Sequence, residues 1–192
     1  SYPSGGNYWG DYNCTDLYSG IYQNETGSDG IGDSPYVIGV YDSIEPVDED
    51  RYPLMAPFNA FDVGMWSGKP RQIHVVSNST ISDFKLDKAK RTISFNVTGE
   101  TGSGFCRVTI PNVIVQNMWS NKYKVLINGE MWQFEKWIDT ENTYLYFMYQ
   151  HSTHKVMIVP EFPLTLILSL IMAFTTFSVV LAKKGFNRKR LA

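Results

Sequence analysis

The chain has 192 residues, 17 Lys and Arg against 19 Asp and Glu, and 43% hydrophobic residues. Five of the basic residues fall after position 182, so residues 1–161 carry 12 basic and 19 acidic side chains, a net charge of −7. Such a surface repels nucleic acid and anionic lipid, which excludes nucleic acid as a partner and suits cations and an outward location. Aromatics are abundant, with 12 Tyr, 11 Phe and 5 Trp, a composition that favours half-buried strands.

Residues 1–58 are rich in Gly, Tyr, Asp, Asn and Pro and show little periodicity beyond "SPYVIGVY". They read as ordered loops that need another surface to pack on, and the expected surface is an upstream part of the chain. The opening "SYPSGGNYWG" carries no secretory signal and reads as a mid-chain start. Within the segment, "NETGSDGIGDSPYVI" has two competing readings. As a calcium loop with Gly30 at the sixth position, it offers Glu25, Asp29, the Ile31 carbonyl and Asp33. The third position is then Gly27 and the twelfth is Tyr36, where a bidentate acid is needed. Help would have to come from Asp11, Asp16 or the run Asp42, Glu45, Asp48, Glu49 and Asp50. As a plain turn, Gly30 and Gly32 supply the backbone freedom while Asp29 and Asp33 bond local amides. No cofactor is demanded by the sequence; calcium is the candidate.

From about residue 71 the pattern changes to short strands with turn signals between them. "RQIHVV" is one. "ISDFKL" and "RTISFNV" flank "DKAK", and "GFCRVTI" places Cys106, Val108 and Ile110 on one face. "YKVLI" and "MWQFEKW" flank Asn128-Gly129, a strong hairpin signal. "TYLYFMY" and "KVMIV" flank "QHSTH" and are expected to pair as a further hairpin. "NVIVQNMW" is the one candidate helical turn. Seven or eight short strands joined by short turns predict an antiparallel, Ig-like β-sandwich over residues 59–159. Sequential hairpins leave no room for crossover helices, which argues against a parallel sheet.

Residues 160–192 close the chain. Residues 164–182, "LTLILSLIMAFTTFSVVLA", hold no charge over 19 positions, about 28 Å as a helix and close to the thickness of a bilayer core. Lys183, Lys184, Arg188, Lys189 and Arg190 follow, and positive flanks stay in the cytoplasm. The expectation is one C-terminal transmembrane helix, the lipid bilayer as partner, and residues 1–160 outside the cell. The sequons at Asn13, Asn24, Asn78 and Asn96 agree with export. In "TISFNVT", Ile93, Phe95 and Val97 face one way, which puts Asn96 on the wet side, where a glycan fits. Cys14 and Cys106 are either a disulfide tying the two modules or two separate small hydrophobes.

Two resemblances add to this reading. "PEFP", an apolar span and a basic end resemble the archaeal PEF-CTERM sorting signal, with Pro160, Glu161 and Phe162 as its specific part. It implies an archaeosortase as partner; a plain single-pass anchor fits the same residues. The ordered motifs "YPSGGNYWGDY", "GSDGIGDSPYVI" and "DRYPLM" resemble the C-terminal end of archaeal NosD-like surface proteins built on right-handed parallel β-helices. The resemblance implies that residues 1–58 are the loop-rich cap of a β-helix missing from this chain, and that "NSTISDFKLDKAKRTISFNVTGETGSGFCRVTIP" belongs to a cell-surface sandwich module. It implies extracellular binding or scaffolding, with surface polysaccharide or other surface proteins as partners.

The NosD-like resemblance also implies copper binding, since that broad family is described as periplasmic copper-binding, and this points to His151 and His154 in "MYQHSTHKVM". In the hairpin register His151 faces His154 and Met148 faces Met157, but positions three apart point to opposite faces, so the four cannot form one site. A two-His site at the turn is what remains, against an exposed polar tip. Carbohydrate stacking has two candidate groups: Tyr8, Trp9, Tyr12, Tyr18 and Tyr22, then Trp132, Trp137, Tyr144 and Tyr146. Core and cross-strand packing is the competing use of such rings. No nucleophile elbow or phosphate loop occurs, so no catalytic residue is expected in this chain. The expected role is a membrane-anchored extracellular scaffold or adhesion module. The rival is the non-catalytic end of a surface carbohydrate-active β-helix enzyme.

Overall fold

The computed structural model describes residues 1–39, 48–161 and 172. The chain divides into two compact units, residues 1–160 and 161–192. The expected transmembrane helix over 164–182, Phe162 of the sorting motif, Asp42, Glu45 and the basic residues Lys183, Lys184, Arg188, Lys189 and Arg190 lie outside the described residues, Met172 excepted. Among the described residues no helix is long and apolar enough to cross a membrane.

Residues 1–58 hold four two-residue strands, β1 (Tyr18–Ser19), β2 (Glu25–Thr26), β3 (Tyr36–Val37) and β4 (Glu49–Asp50), paired as β1–β2 and β3–β4. The rest of the unit holds β5 (Phe58–Trp66), β6 (Lys69–Ser77), β7 (Thr80–Asp87), β8 (Thr92–Thr98), β9 (Ser103–Pro111), α1 (Asn112–Trp119), β10 (Tyr123–Ile127), β11 (Glu130–Trp132), β12 (Glu135–Ile138), β13 (Asn142–Gln150) and β14 (Thr153–Pro160). Two five-stranded antiparallel sheets form, in the orders β11-β10-β14-β8-β7 and β12-β13-β9-β6-β5. The protein is thus mainly β.

The core between the sheets follows from period-two alternation. Ile93, Phe95 and Val97 of β8 and Val156 and Ile158 of β14 meet Cys106, Val108 and Ile110 of β9 and Leu145 and Phe147 of β13. All of these are at most 2% exposed, and burying each of the large aliphatic or aromatic ones stabilises the fold by about 1.5–3 kcal/mol. α1 adds Ile114, Val115, Met118 and Trp119 to this core, and the Trp119 indole donates to the Arg91 carbonyl. The helix ends where Ser120 and Asn121 turn left-handed, at φ 50° and 63°.

Two expectations need correction. The "TYLYFMY"/"KVMIV" hairpin does not form. β13 pairs with β9 and β12, while β14 pairs with β8 and β10 in the other sheet. Both strands turn an apolar face to the core, so the "QHSTH" link crosses from one wall of the sandwich to the other. The loop after β8 holds it there, through His151 N to Gly102 O and Gly99 N to Ser152 O. "MWQFEKW" is likewise two strands in different sheets, β11 on β10 and β12 on β13. The Asn128-Gly129 turn between β10 and β11 is as expected, with φ 53° and 89°. Phe58–Trp66 is a full edge strand, interrupted by a bulge between Asp62 and Met65.

The loop-rich segment lies on the outer face of the β9 sheet. Ile31, Leu54 and Ala56 form a second core with Val76, Phe105 and Tyr146, all of them 9% exposed or less. The β9 sheet is therefore covered on both faces, which explains the nearly unbroken burial along β9 and β13.

Candidate functional site

The three motifs of residues 1–58 meet in space. Asp50 of "DRYPLM" accepts from Asn7 N at 2.7 Å and from the Trp9 indole at 3.0 Å through one oxygen, and from Tyr52 N at 3.1 Å through the other. Tyr36 of the second motif stacks on Trp9 with centroids 4.4 Å apart and donates to the Asp11 carboxylate. Leu54 bridges Tyr8 on one side and Ile31 on the other. Each motif supplies what the others leave unpaired.

Beneath this knot sits Arg107, 1% exposed, in the middle of β9. Its guanidinium donates to the main-chain oxygens of Asp29 and Pro3, and lies 5.1 Å from the Tyr144 ring and 5.8 Å from the Trp137 ring. Burial pulls its pKa down, and the nearby Asp29 carboxylate holds it up. A guanidinium suits this place because its planar fork serves two carbonyls while its face lies on aromatic rings. Gly30 is at φ +84°, and a Cβ there would stand 3.2 Å from the Arg107 Cβ and Cδ. The turn thus needs glycine for its backbone and for its closeness to Arg107.

The acids of this region hold main-chain amides. Asp33 accepts from Leu17 N, Tyr18 N and the Thr15 hydroxyl at 2.9–3.0 Å. Asp29, fully buried, accepts from Ile31 N at 2.9 Å. Asp16, which sequence reasoning left in reserve, receives Asp29 N and Gly30 N at 2.9 and 2.8 Å, one on each oxygen. Glu25 stands apart on the exposed β2. Among the described residues no three His, Cys, Asp or Glu come together to hold a metal ion. The expected calcium set of Glu25, Asp29, the Ile31 carbonyl and Asp33 is therefore not brought together; local amides use the oxygens the ion would need. Burial raises the Asp16 pKa to about 7 and raises that of Asp29, which Arg107 opposes.

The hairpin assumed for the copper pair is absent, and both histidines have partners within the protein. His151 Nδ1 bonds to Thr101 O, while His154 bonds to Asn128 through Nδ1 and to Gln150 O through Nε2. Both imidazoles serve as links between turns. Cys14 and Cys106 are free thiols, not a disulfide. Cys106 lies in the sandwich core beside Ser77 and Tyr149, and burial raises its pKa to about 11. Burial also raises that of Cys14, but hydrogen bonds from Tyr12 and Ser34 outweigh it and leave Cys14 below its ordinary value.

The sequons differ in how free their amides are. Asn13 and Asn24 are exposed. Asn78 uses both ends of its amide, donating to Ser103 O and accepting from Phe105 N, each at 3.0 Å. Asn96 is half-buried and donates to Asp83 at 2.7 Å. Pro160 ends β14 and Glu161 is exposed just beyond it.

Sequence reasoning missed Arg107. The signal was a lone cation inside the otherwise apolar "GFCRVTI". Its face of the strand reads as solvent-facing until the cap covers it. The whole arrangement is a mechanical joint, where buried polar groups fix a loop-rich segment on a sandwich. Comparison of the chain with protein-family models, with curated proteins and with solved structures finds no match.

Proposed function

We propose that this chain is the membrane-proximal display module of a cell-surface protein, anchored by residues 164–182, with residues 1–160 outside the cell and the basic tail in the cytoplasm. The observation that carries the reading is the order of elements at the C-terminal end. β14 ends at Pro160, and four residues later an uncharged 19-residue segment begins, followed by five Lys and Arg. An uncharged stretch of this length with a basic flank is what a single-pass anchor requires. The loop-rich segment, fixed to the sandwich by Arg107 and the Ile31–Leu54 core, serves in this reading as the rigid seat for a further module such as a β-helix. The likeness of its three motifs to NosD-like caps supports that role.

Cys14 offers a direct test. A membrane-impermeant maleimide added to intact cells labels Cys14 if residues 1–160 are outside. Labelling only after lysis overturns the reading.

A further inference from the structure

An open groove of about 450 Å³ runs between the β1–β2 hairpin of the cap and the β12 edge of the sandwich. Its volume falls within the range of about 300–1,000 Å³ typical of small-ligand sites. Phe134, Trp137 and Tyr146 give it apolar surface, and Glu25, Gln133 and Glu135 give it polar groups. Two features of these residues bear on what the groove can take.

The first is the Trp137 indole. The chain has five Trp, and four donate their N–H inside the protein: Trp9 to Asp50, Trp66 to Val63 O, Trp119 to Arg91 O and Trp132 to Met148 O. Among the described residues nothing accepts from Trp137, whose ring is meanwhile held in place by Arg107 at 5.8 Å. The second is the polar lining. Glu25, Gln133 and Glu135 make no side-chain hydrogen bond among the described residues, whereas the neighbouring acids Asp16, Asp29, Asp33 and Asp50 are all occupied. A rigid donor and several free acceptors therefore share one aromatic-walled groove.

The hydroxyl group answers both needs, since it donates and accepts. A cationic side chain satisfies the carboxylates but has no acceptor for the indole. A ring with an apolar C–H face and several hydroxyls also matches the aromatic walls. The two carboxylates, on a surface of net charge −7 over residues 1–161, disfavour acidic sugars. We propose that the groove between the β1–β2 hairpin and β12 binds a neutral pyranose saccharide, with Trp137 as the central stacking and donor residue. Binding here does not depend on which side of a membrane the chain sits, so its failure leaves the display reading standing.

The test uses the full chain in a detergent without a sugar headgroup. Maltose, cellobiose and N,N′-diacetylchitobiose are titrated by tryptophan fluorescence and saturation-transfer NMR, with digalacturonate as the acidic comparison. At least one neutral disaccharide binds with a Kd of about 1 mM or tighter, and digalacturonate binds more weakly. Trp137→Phe, which keeps the ring and loses the donor, weakens binding about 3- to 10-fold, the equivalent of one hydrogen bond. Trp137→Ala abolishes it. Phe58→Ala, which removes an exposed ring on the far edge of the same sheet, leaves it unchanged. No binding of any neutral disaccharide at about 10 mM overturns the proposal. So does equal or tighter binding of digalacturonate, or a Trp137→Phe variant that binds like wild type.

Discussion

Arg107 on β9 donates its guanidinium to the main-chain carbonyl of Asp29, 78 positions earlier in the sequence. A second arm of the same fork reaches Pro3 O. One buried cation thus ties the start of the chain, the glycine turn and the sandwich together. It does so through carbonyl dipoles, with no ion pair to it among the described residues. Replacing Arg107 by Met leaves both carbonyls without a donor under the cap. The expected cost is about 2–4 kcal/mol in urea denaturation, with faster proteolysis of residues 1–58. Arg107→Lys should fall between, because an ammonium cannot reproduce the planar fork. A Met variant as stable as wild type would remove Arg107 from the account of how the cap is held.

Gly30 and Gly129 separate two costs. Both have positive φ, +84° and +89°, but only Gly30 has neighbours where a Cβ would go, the Arg107 Cβ and Cδ at 3.2 Å. Gly129→Ala should cost about 1–2 kcal/mol for the left-handed backbone alone. Gly30→Ala should cost more, since Arg107 must also shift. Equal costs in thermal or urea denaturation would show that the turn does not press on Arg107.

Much of the sandwich was legible in the sequence, for a physical reason. In β8 the alternation of Ile93, Phe95 and Val97 has one wet side and one dry side, so period two shows through. Asn128-Gly129 encodes its turn locally, through two left-handed residues. β5 was not legible, because its bulge between Asp62 and Met65 breaks the alternation. The β13–β14 link failed for a different reason. A short polar turn between two apolar strands looks the same whether it closes a hairpin or crosses between sheets. Only the pairing of β14 with β8, Val156 opposite Phe95, decides it. At the candidate site, the residues around Asp29 and Asp33 fit either a calcium loop or a plain turn by sequence alone. Arg107 was invisible because its burial comes from residues 78 and 104 positions away.

Asp16 should make stability depend on pH. Its folded pKa is raised to about 7 from an ordinary value of 3.8, chiefly by burial. Between these values the folded state binds more protons than the unfolded one, so the contribution favours folding at low pH and fades as pH rises towards 7. Urea midpoints should therefore fall from pH 5 to pH 8. Asp16→Asn, which carries no charge, should flatten that slope while lowering stability at pH 5, because it loses one of two amide acceptors. An unchanged slope in the variant would place the pH dependence elsewhere.

The two thiols should react at different rates. Cys14 is half-exposed with a lowered pKa, while Cys106 is fully buried with its pKa at about 11. The thiolate is the reactive form, so a maleimide at pH 7 should modify Cys14 in the folded protein and Cys106 only after unfolding. Peptide mass mapping checks this. Prompt modification of Cys106 in the folded state would mean that the sandwich core opens readily.

Protease shaving of intact cells tests surface display most directly, with one epitope tag before residue 1 and another after residue 192. The predicted result is loss of the N-terminal tag and of residues 1–160 while the C-terminal tag stays protected until the membrane is opened. Protection of both tags, or loss of the C-terminal tag alone, would contradict the account.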